Sequence, residues 1–349
     1  MGINILMLGG KRCGKTTVLS SMYDNINRVL AGTNMNVSII DKATNDSLMQ
    51  AKTSIQTTMA NFNTPLTRVE VDDNPTSAMK TYRFNLTLDG KAIPFNIHDI
   101  PGEWLTDPAQ QATMRGLIAE CQVFIIAIDT PYLFSKMTNA GYGIYHQEYN
   151  KPAEITNFFK NSLSVNGLRD RMVLFVPIKC ERYYHLKYCP KLNVYQRNYM
   201  QEIVSSVGAG YSELLAYLRS TPELMNSCTM AVTPILSAGG IDFVKFYTDE
   251  QTGKIVSLYQ QPEFLKESEQ GYSPKFCEQP MIYSLAYILL WELLQQQQKK
   301  YGFGQKKLFG NMAGNQLYSA YDTLRKKMVR NTGKNAESAY YFIQNPKDM

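Results

Sequence analysis

A short, mostly apolar run, Ile3-Asn4-Ile5-Leu6-Met7-Leu8, leads straight into Gly9-Gly10-Lys11-Arg12-Cys13-Gly14-Lys15-Thr16-Thr17. This string matches G-x-x-x-x-G-K-[ST], the loop that holds phosphate between a strand and a helix. Gly9 and Gly14 permit backbone angles that let the loop wrap an anion. The loop amides then form an anion nest at a helix start. The pattern aims Lys15 at the outer phosphates and makes the Thr16 hydroxyl a ligand for Mg²⁺, a cation that keeps mostly water and phosphate oxygens around it. The context agrees: apolar Val18, Leu19, Met22 and Ile26 follow at helical spacing. A chain that opens this way is committed to a strand–loop–helix unit, and hence to a sheet that the helix can cover.

The next segments supply that sheet. Residues 82–88 alternate as a strand, Asp89-Gly90 signals a hairpin, and residues 92–98 return. Residues 123–128, 172–178 and 231–236 are apolar runs of the kind found in strands covered on both faces. Helical patterns fall at 14–30, 45–59, 108–120, 154–163, 194–207, 211–219 and 280–298, with a weak strand at 37–40 and an added hairpin at 243–247 and 255–260. Alternation of strands and helices predicts an α/β fold, with a mostly parallel sheet, one antiparallel hairpin strand and helices on both faces. In such folds ligands bind at the carboxyl ends of the strands.

Asp99-Ile100-Pro101-Gly102-Glu103 stands at one such end. Asp99 is placed to hold Mg²⁺ through a water, and the Gly102 amide to sense the γ-phosphate. A strand-end Asp before a Pro-Gly turn also arises for structural reasons alone. Its position after a phosphate loop is what points to function.

Four motifs then stand in one order: residues 9–16, Asp99-x-x-Gly102, Lys179-Cys180-Glu181, and Ser237-Ala238. In this the chain resembles the P-loop GTPases of the translation-factor and regulatory class. Its long insertions and Asp-Ile-Pro-Gly-Glu-Trp string look most like the bacterial double-GTPase-like proteins encoded beside conflict or defence genes. The resemblance covers about residues 1–300. It implies the three-layer P-loop NTPase fold, Mg²⁺ as cofactor and GTP and GDP as ligands. It also implies that nucleotide contacts run through Gly9, Gly10, Lys11, Arg12, Cys13, Gly14, Lys15, Thr16 and Thr17. Lys179 would pack along the base, the Glu181 carboxylate would accept from guanine, and the Ser237-Ala238 backbone would face the base. Here Ile178 and Glu181 stand where that family usually has Asn or Thr and Asp. An ordinary solvated Lys179/Glu181 pair is the alternative.

Glu103 occupies the position where relatives often carry Gln or His to orient the attacking water. Its charge beside the γ-phosphate needs an offset. Arg12, at the loop position where potassium-dependent relatives carry Asn, would act as a built-in cation, or else face solvent or a neighbouring domain. A second Mg²⁺ ligand should come from a mobile threonine before the hairpin, with Thr64 and Thr67 the candidates. The catalytic set is thus Lys15, Arg12, Glu103 and Gly102; the metal set is Thr16, Asp99, Thr64 and Thr67.

The chain divides into a nucleotide-binding domain over residues 1–300, with insertions at about 33–80, 132–153 and 241–280, and a basic helical extension over 301–349. Residues 296–349 hold ten basic and three acidic side chains, so of the net +6 this segment carries +7 and the rest about −1. Together with Tyr318, Tyr321, Tyr340, Tyr341 and Phe342, that charge fits a nucleic-acid or acidic-protein surface, or the solvated face of a docking helix.

The six scattered cysteines form no C-x-x-C pair, which predicts reduced thiols in a cytoplasmic protein. No leader sequence and no membrane span are expected: the longest apolar stretch, 281–294, is too short and reads as a buried helix. These features predict a slow GTPase switch read by a protein effector. A non-hydrolysing nucleotide module and an ATPase are the alternatives, and no acceptor-binding motif marks a metabolic kinase. If Arg12 supplies the cation, Arg12→Ala will lower single-turnover hydrolysis far more than nucleotide affinity; equal loss of both excludes that role.

Overall fold

The computed structural model describes residues 3–11, 13–60, 67–69, 78–134, 145–162, 165–185, 199–248, 250–251, 255–262, 265, 271–301, 316–329 and 340–349. Its strands are β1 (Ile3–Leu8), β2 (Met35–Ile39), β3 (Thr67–Val69), β4 (Lys80–Leu88), β5 (Lys91–Asp99), β6 (Val123–Asp129), β7 (Met172–Ile178), β8 (Thr229–Val232), β9 (Asp242–Thr248), β10 (Ile255–Gln260) and β11 (Tyr341–Gln344). Its helices are α1 (Lys15–Leu30), α2 (Lys42–Ala60), α3 (Gln111–Glu120), α4 (Thr130–Phe134), α5 (Pro152–Ser162), α6 (Glu181–His185), α7 (Tyr199–Gly210), α8 (Ser212–Leu218), α9 (Pro222–Ser227), α10 (Gln279–Tyr301) and α11 (Gln316–Lys327).

Eight strands form one sheet in the order β11-β8-β7-β6-β1-β5-β4-β2. The five from β8 to β5 are mutually parallel. β4 pairs antiparallel with both β5 and β2, so β2 runs in the direction of the parallel set, and the sheet is mostly parallel as expected; β11, antiparallel to β8, adds a second reversed strand. Every residue of β6 and β7 is buried, as their unbroken apolar runs require. Asp89 and Gly90 both take positive φ, 47° and 78°, which matches the twist of a two-residue hairpin joining β4 to β5.

The two faces bury separate cores. Ile5, Met7, Ile97 and Leu174 pack beneath α1, α10 and α11. Leu6, Leu8, Phe124 and Phe175 pack beneath α3, α5, α7, α8 and α9. The alternation of β1 between these cores is the period-two rule of a strand covered on both sides. A small antiparallel sheet, β3-β10-β9, carries its own cluster of Met59, Ala238, Ile241, Phe243 and Tyr259.

Several boundaries move for identifiable reasons. The run 231–236 is a strand only to Val232, because Pro234 has no N–H to continue the ladder. Thr233 and Ile235 still donate to Phe175 and Pro177 carbonyls, at 2.9 and 2.8 Å. The short α9 is absent from the sequence reading, although Thr221 caps it by accepting from Leu224 N–H at 3.2 Å and Pro222 opens it.

The tail differs most from expectation. α11 packs on α10 through Ala320, Tyr321, Leu324 and Met328, while Arg325, Lys326 and Lys327 face solvent. β11 then pairs with β8, Tyr341 opposite Val232, and so adds a strand where only helix was read. Tyr321 and Tyr340 are buried in the core and therefore present no rings to a nucleic acid. The Tyr340 hydroxyl donates to the Pro234 carbonyl at 2.6 Å. Among the described residues no helix is long and apolar enough to cross a membrane.

Tyr340 is 3% exposed and closes the sheet edge, so Tyr340→Ala should cost about 3–5 kcal/mol. Tyr340→Phe, which loses only the hydrogen bond, should cost about 1 kcal/mol. Urea unfolding midpoints measure both; a neutral Tyr340→Ala would mean the tail does not dock.

Candidate functional site

The site is set by the register of β1 against β5. These strands are parallel, with Met7 opposite Asp99, so the loop after one and the turn after the other emerge side by side. In the loop, Gly9 and Gly14 take φ of 150° and 100°. A methyl group on Gly9 would come within 2.8 Å of the Ala127 carbonyl. Gly14 caps α1, whose first turn has no acidic residue, so its amide dipoles face the loop unopposed.

Lys15 is buried, and its ammonium donates to the carbonyls of Gly9 and Gly10 at 3.2 and 3.1 Å. The Thr16 hydroxyl donates to Asp99 Oδ2 at 3.0 Å. Asp99 is fully buried, and its other oxygen, Oδ1, is among the buried polar atoms with no partner. Burial pushes its carboxyl pKa up; Lys15 and the Thr16 bond work against that rise. An unpaired oxygen on a buried carboxylate is costly unless a donor or cation meets it. Thr16 and Asp99 are therefore the pair that fits Mg²⁺. Among the described residues no group of three or more His, Cys, Asp or Glu gathers to hold a metal.

Gly102 lies directly on the phosphate loop. A Cβ there would overlap the Lys11 amide and stand 2.7 Å from the Gly10 carbonyl carbon. Glu103 pairs with Lys11 at 2.5 Å, both side chains being 45% exposed. Burial works against ionisation of Glu103, yet the Lys11 bond and its own backbone N–H hold the carboxyl below its ordinary range. Lys11 thus meets Glu103 directly; Arg12, the expected offset, lies outside the described residues. Cys13 is buried, and burial raises its thiol pKa. Thr17 is half-buried on α1.

The residues expected to face a base form a second group. Lys179, at φ 58°, makes an ion pair with the buried Asp129 at the end of β6. Burial alone would lower the Lys179 pKa, but Asp129 drives it well above the usual lysine value. Asn150 brackets Asp129, accepting from its N–H at 2.8 Å and donating to its carbonyl at 3.0 Å. Glu181 is buried, and its Oε1 accepts from the amides of Ala238 at 2.7 Å and Gly239 at 3.2 Å. Ser237 and Ala238 are buried beside it. Of the threonines proposed as mobile ligands, Thr64 lies outside the described residues. Thr67 is in β3, its backbone paired opposite Tyr259.

Four contributors have no counterpart in the sequence reading. Lys11 as the partner of Glu103 and Asn150 as the bracket of Asp129 carry no local signal. Asp129 itself could have been flagged, as a strand-end carboxylate in an otherwise apolar run. The fourth is Tyr149, whose carbonyl would be overlapped by any side chain at Gly10. Its ring stacks on Tyr132 at 4.4 Å, and Tyr132 stacks on Phe246 at 4.6 Å, which joins the segment over the phosphate loop to β9.

Because the atoms that crowd Gly102 are backbone, Gly102→Ala should displace the turn at residues 102–105 and cost about 1–3 kcal/mol of stability. Thermal melts of the nucleotide-free variant test this; an unchanged midpoint would contradict the contact.

A search of curated proteins finds no match to the chain. Residues 3–165 match the family described as Double-GTPase 2. That span runs from β1 through α5 and holds the phosphate loop, Asp99, Gly102 and Asp129, but neither Lys179, Glu181 nor Ser237. Over residues 3–165 the chain is thus similar to the Double-GTPase 2 family, and the α/β sheet that sets its loop is consistent with a P-loop fold.

Proposed function

We propose that the protein binds a guanine nucleoside triphosphate together with Mg²⁺, hydrolyses it slowly to GDP and phosphate, and signals the difference to a partner protein. The observation that carries this reading is the Thr16–Asp99 contact with its unpaired Oδ1, set at the start of α1 beside Lys15. The match to the Double-GTPase 2 family supports the choice of nucleotide.

In this reading the loop amides and the Lys15 ammonium bind the phosphates, Lys15 exchanging its two loop carbonyls for phosphate oxygens. Thr16 and Asp99 would hold Mg²⁺, which neutralises phosphate charge and orders the triphosphate. Gly102 now touches the loop at Gly10 and Lys11, so a γ-phosphate seated there must part them. The Lys11–Glu103 pair would open with that movement. Triphosphate and diphosphate would thus favour different placements of residues 102–105, an order–order switch that a partner can read.

One observation favours a second reading, a binding module that does not hydrolyse. Glu103 is tied to Lys11 and carries a negative charge, so it is not poised to orient a water.

Calorimetric titration with GTP, GDP and ATP, with and without Mg²⁺, tests the proposal. GTP and GDP should bind, Mg²⁺ should strengthen GTP binding, and Lys15→Ala should abolish both binding and turnover. Asp99→Asn should weaken Mg²⁺-dependent binding about 10–100-fold, the scale seen when a metal site loses a supporting group. It should leave the nucleotide-free protein no less stable, since it removes a buried charge that is only half satisfied. Binding without turnover in the wild type would select the second reading. No binding of any nucleotide would reject both.

A further inference from the structure

The Glu181 carboxylate and the Ala238–Gly239 amides are the groups that would flank a base, yet here they are bonded to each other. Glu181 opens α6 and is 4% exposed. Its Oε1 takes both loop amides, at 2.7 and 3.2 Å, and its own backbone N–H adds a further bond to the carboxylate.

The rest of α6 acts on the same segment. Arg182 Nη1 donates to the carbonyls of Phe243 and Val244 at 3.1 and 3.0 Å. His185 Nδ1 lies 2.6 Å from Asp242 Oδ1. Three side chains of one short helix thus grip residues 238–244.

The opposite side of the loop is held as firmly. Ala238 accepts from Ser273 N–H at 2.9 Å, and Leu236 exchanges two bonds with Lys275 at 3.0 Å. Gly239 has φ 90°, and any Cβ would overlap the Ser273 carbonyl. Ser21, on the helix that starts at Lys15, meets the Tyr272 hydroxyl at 2.9 Å, so this loop is tied to the phosphate-binding helix as well.

We propose that Glu181 is a positioning residue: its carboxylate fixes the Ser237–Gly239 backbone on the base side of the pocket and does not itself read the base. This rests on the nucleotide-binding reading above. The extra methylene of glutamate is what the bond requires, since an aspartate at this position would fall short of the two amides. With Oε1 committed to the two loop amides and the side chain buried, the carboxylate faces the backbone, and on this proposal the 2-amino group of guanine gains no partner from it. Inosine and guanosine nucleotides should then bind alike.

Two substitutions separate a positioning role from a base-reading one, because the two roles rank them oppositely. Glu181→Gln keeps an acceptor oxygen at full reach. It should leave hydrogen exchange of the 236–241 backbone within about threefold of wild type, and the GTP:ATP and GTP:ITP affinity ratios within about twofold. Glu181→Asp shortens the reach. It should speed exchange at Ala238 and Gly239 about tenfold and weaken GTP, ITP and ATP by similar factors.

A base-reading carboxylate predicts the reverse. Glu181→Asp would preserve or raise guanine preference, Glu181→Gln would lower it tenfold or more, and exchange would be unchanged in both. That pattern overturns the proposal. The exchange measurements use nucleotide-free full-length protein, so they decide the role of Glu181 in the loop even if no nucleotide binds. Absence of all nucleotide binding would reject the reading under Proposed function instead.

Discussion

The contact between Thr16 and Asp99 exists only because β1 and β5 run parallel with Met7 opposite Asp99. A one-residue slip would turn Asp99 to the other face of the sheet and leave Thr16 without a partner. Both faces of β1 are apolar over Ile5–Leu8, so burial alone would tolerate a shift. The polar contacts of Asn4 mark the register instead: its N–H donates to Gln122 Oε1 at 2.9 Å and its Oδ1 accepts from Asn96 at 3.0 Å, and a slip would break both. The buried unpaired oxygen of Asp99 is held within that register. The fold accepts a local electrostatic penalty at the point where a ligand would relieve it.

The two ends of the candidate pocket are built on different principles. At the expected phosphate end the chain offers backbone amides and a buried lysine whose ammonium meets backbone carbonyls. Among the described residues Lys15 bonds to loop carbonyls, and Glu103 to a half-exposed lysine. At the end expected to meet a base, side chains already satisfy one another. Lys179 is paired with Asp129, Asp129 is bracketed by Asn150, and Glu181 is bonded to the 238–239 backbone. A rigid wall on one side and exchangeable bonds on the other suit a site that grips one part of a ligand and responds to another.

Much of this was legible in the sequence because local signals and global fold agree. The glycines of the phosphate loop, the Asp89-Gly90 turn and the unbroken apolar runs of β6 and β7 each fix one structure on their own. The meeting of Thr16 with Asp99 follows from motif order. What was not legible depends on partners distant in sequence. Lys11 and Glu103 are both unremarkable charged residues until the turn after β5 rests on the loop. In sequence Glu181 is expected to face a base, while its carboxylate accepts from the Ala238 and Gly239 amides. In the tail the charge balance hid the folding signal. Exposed Arg325, Lys326 and Lys327 lie on the same helix as buried Tyr321 and Leu324, and an average over the segment sees only the former.

The placement of β11 has a consequence for how the sheet is assembled. The strands that frame the phosphate loop, β1, β5, β6 and β7, have all been synthesised by Ile178, and β8 by Val232. The outer edge of β8 is then left for residues 341–344, which arrive only after α10 and α11. Until they do, a nearly finished core displays a row of unpaired N–H and C=O groups, a template for any other extended chain. The closing strand is thus a guard as well as a structural element, and for a newly made chain the interval before it docks is the window of greatest exposure to wrong pairing.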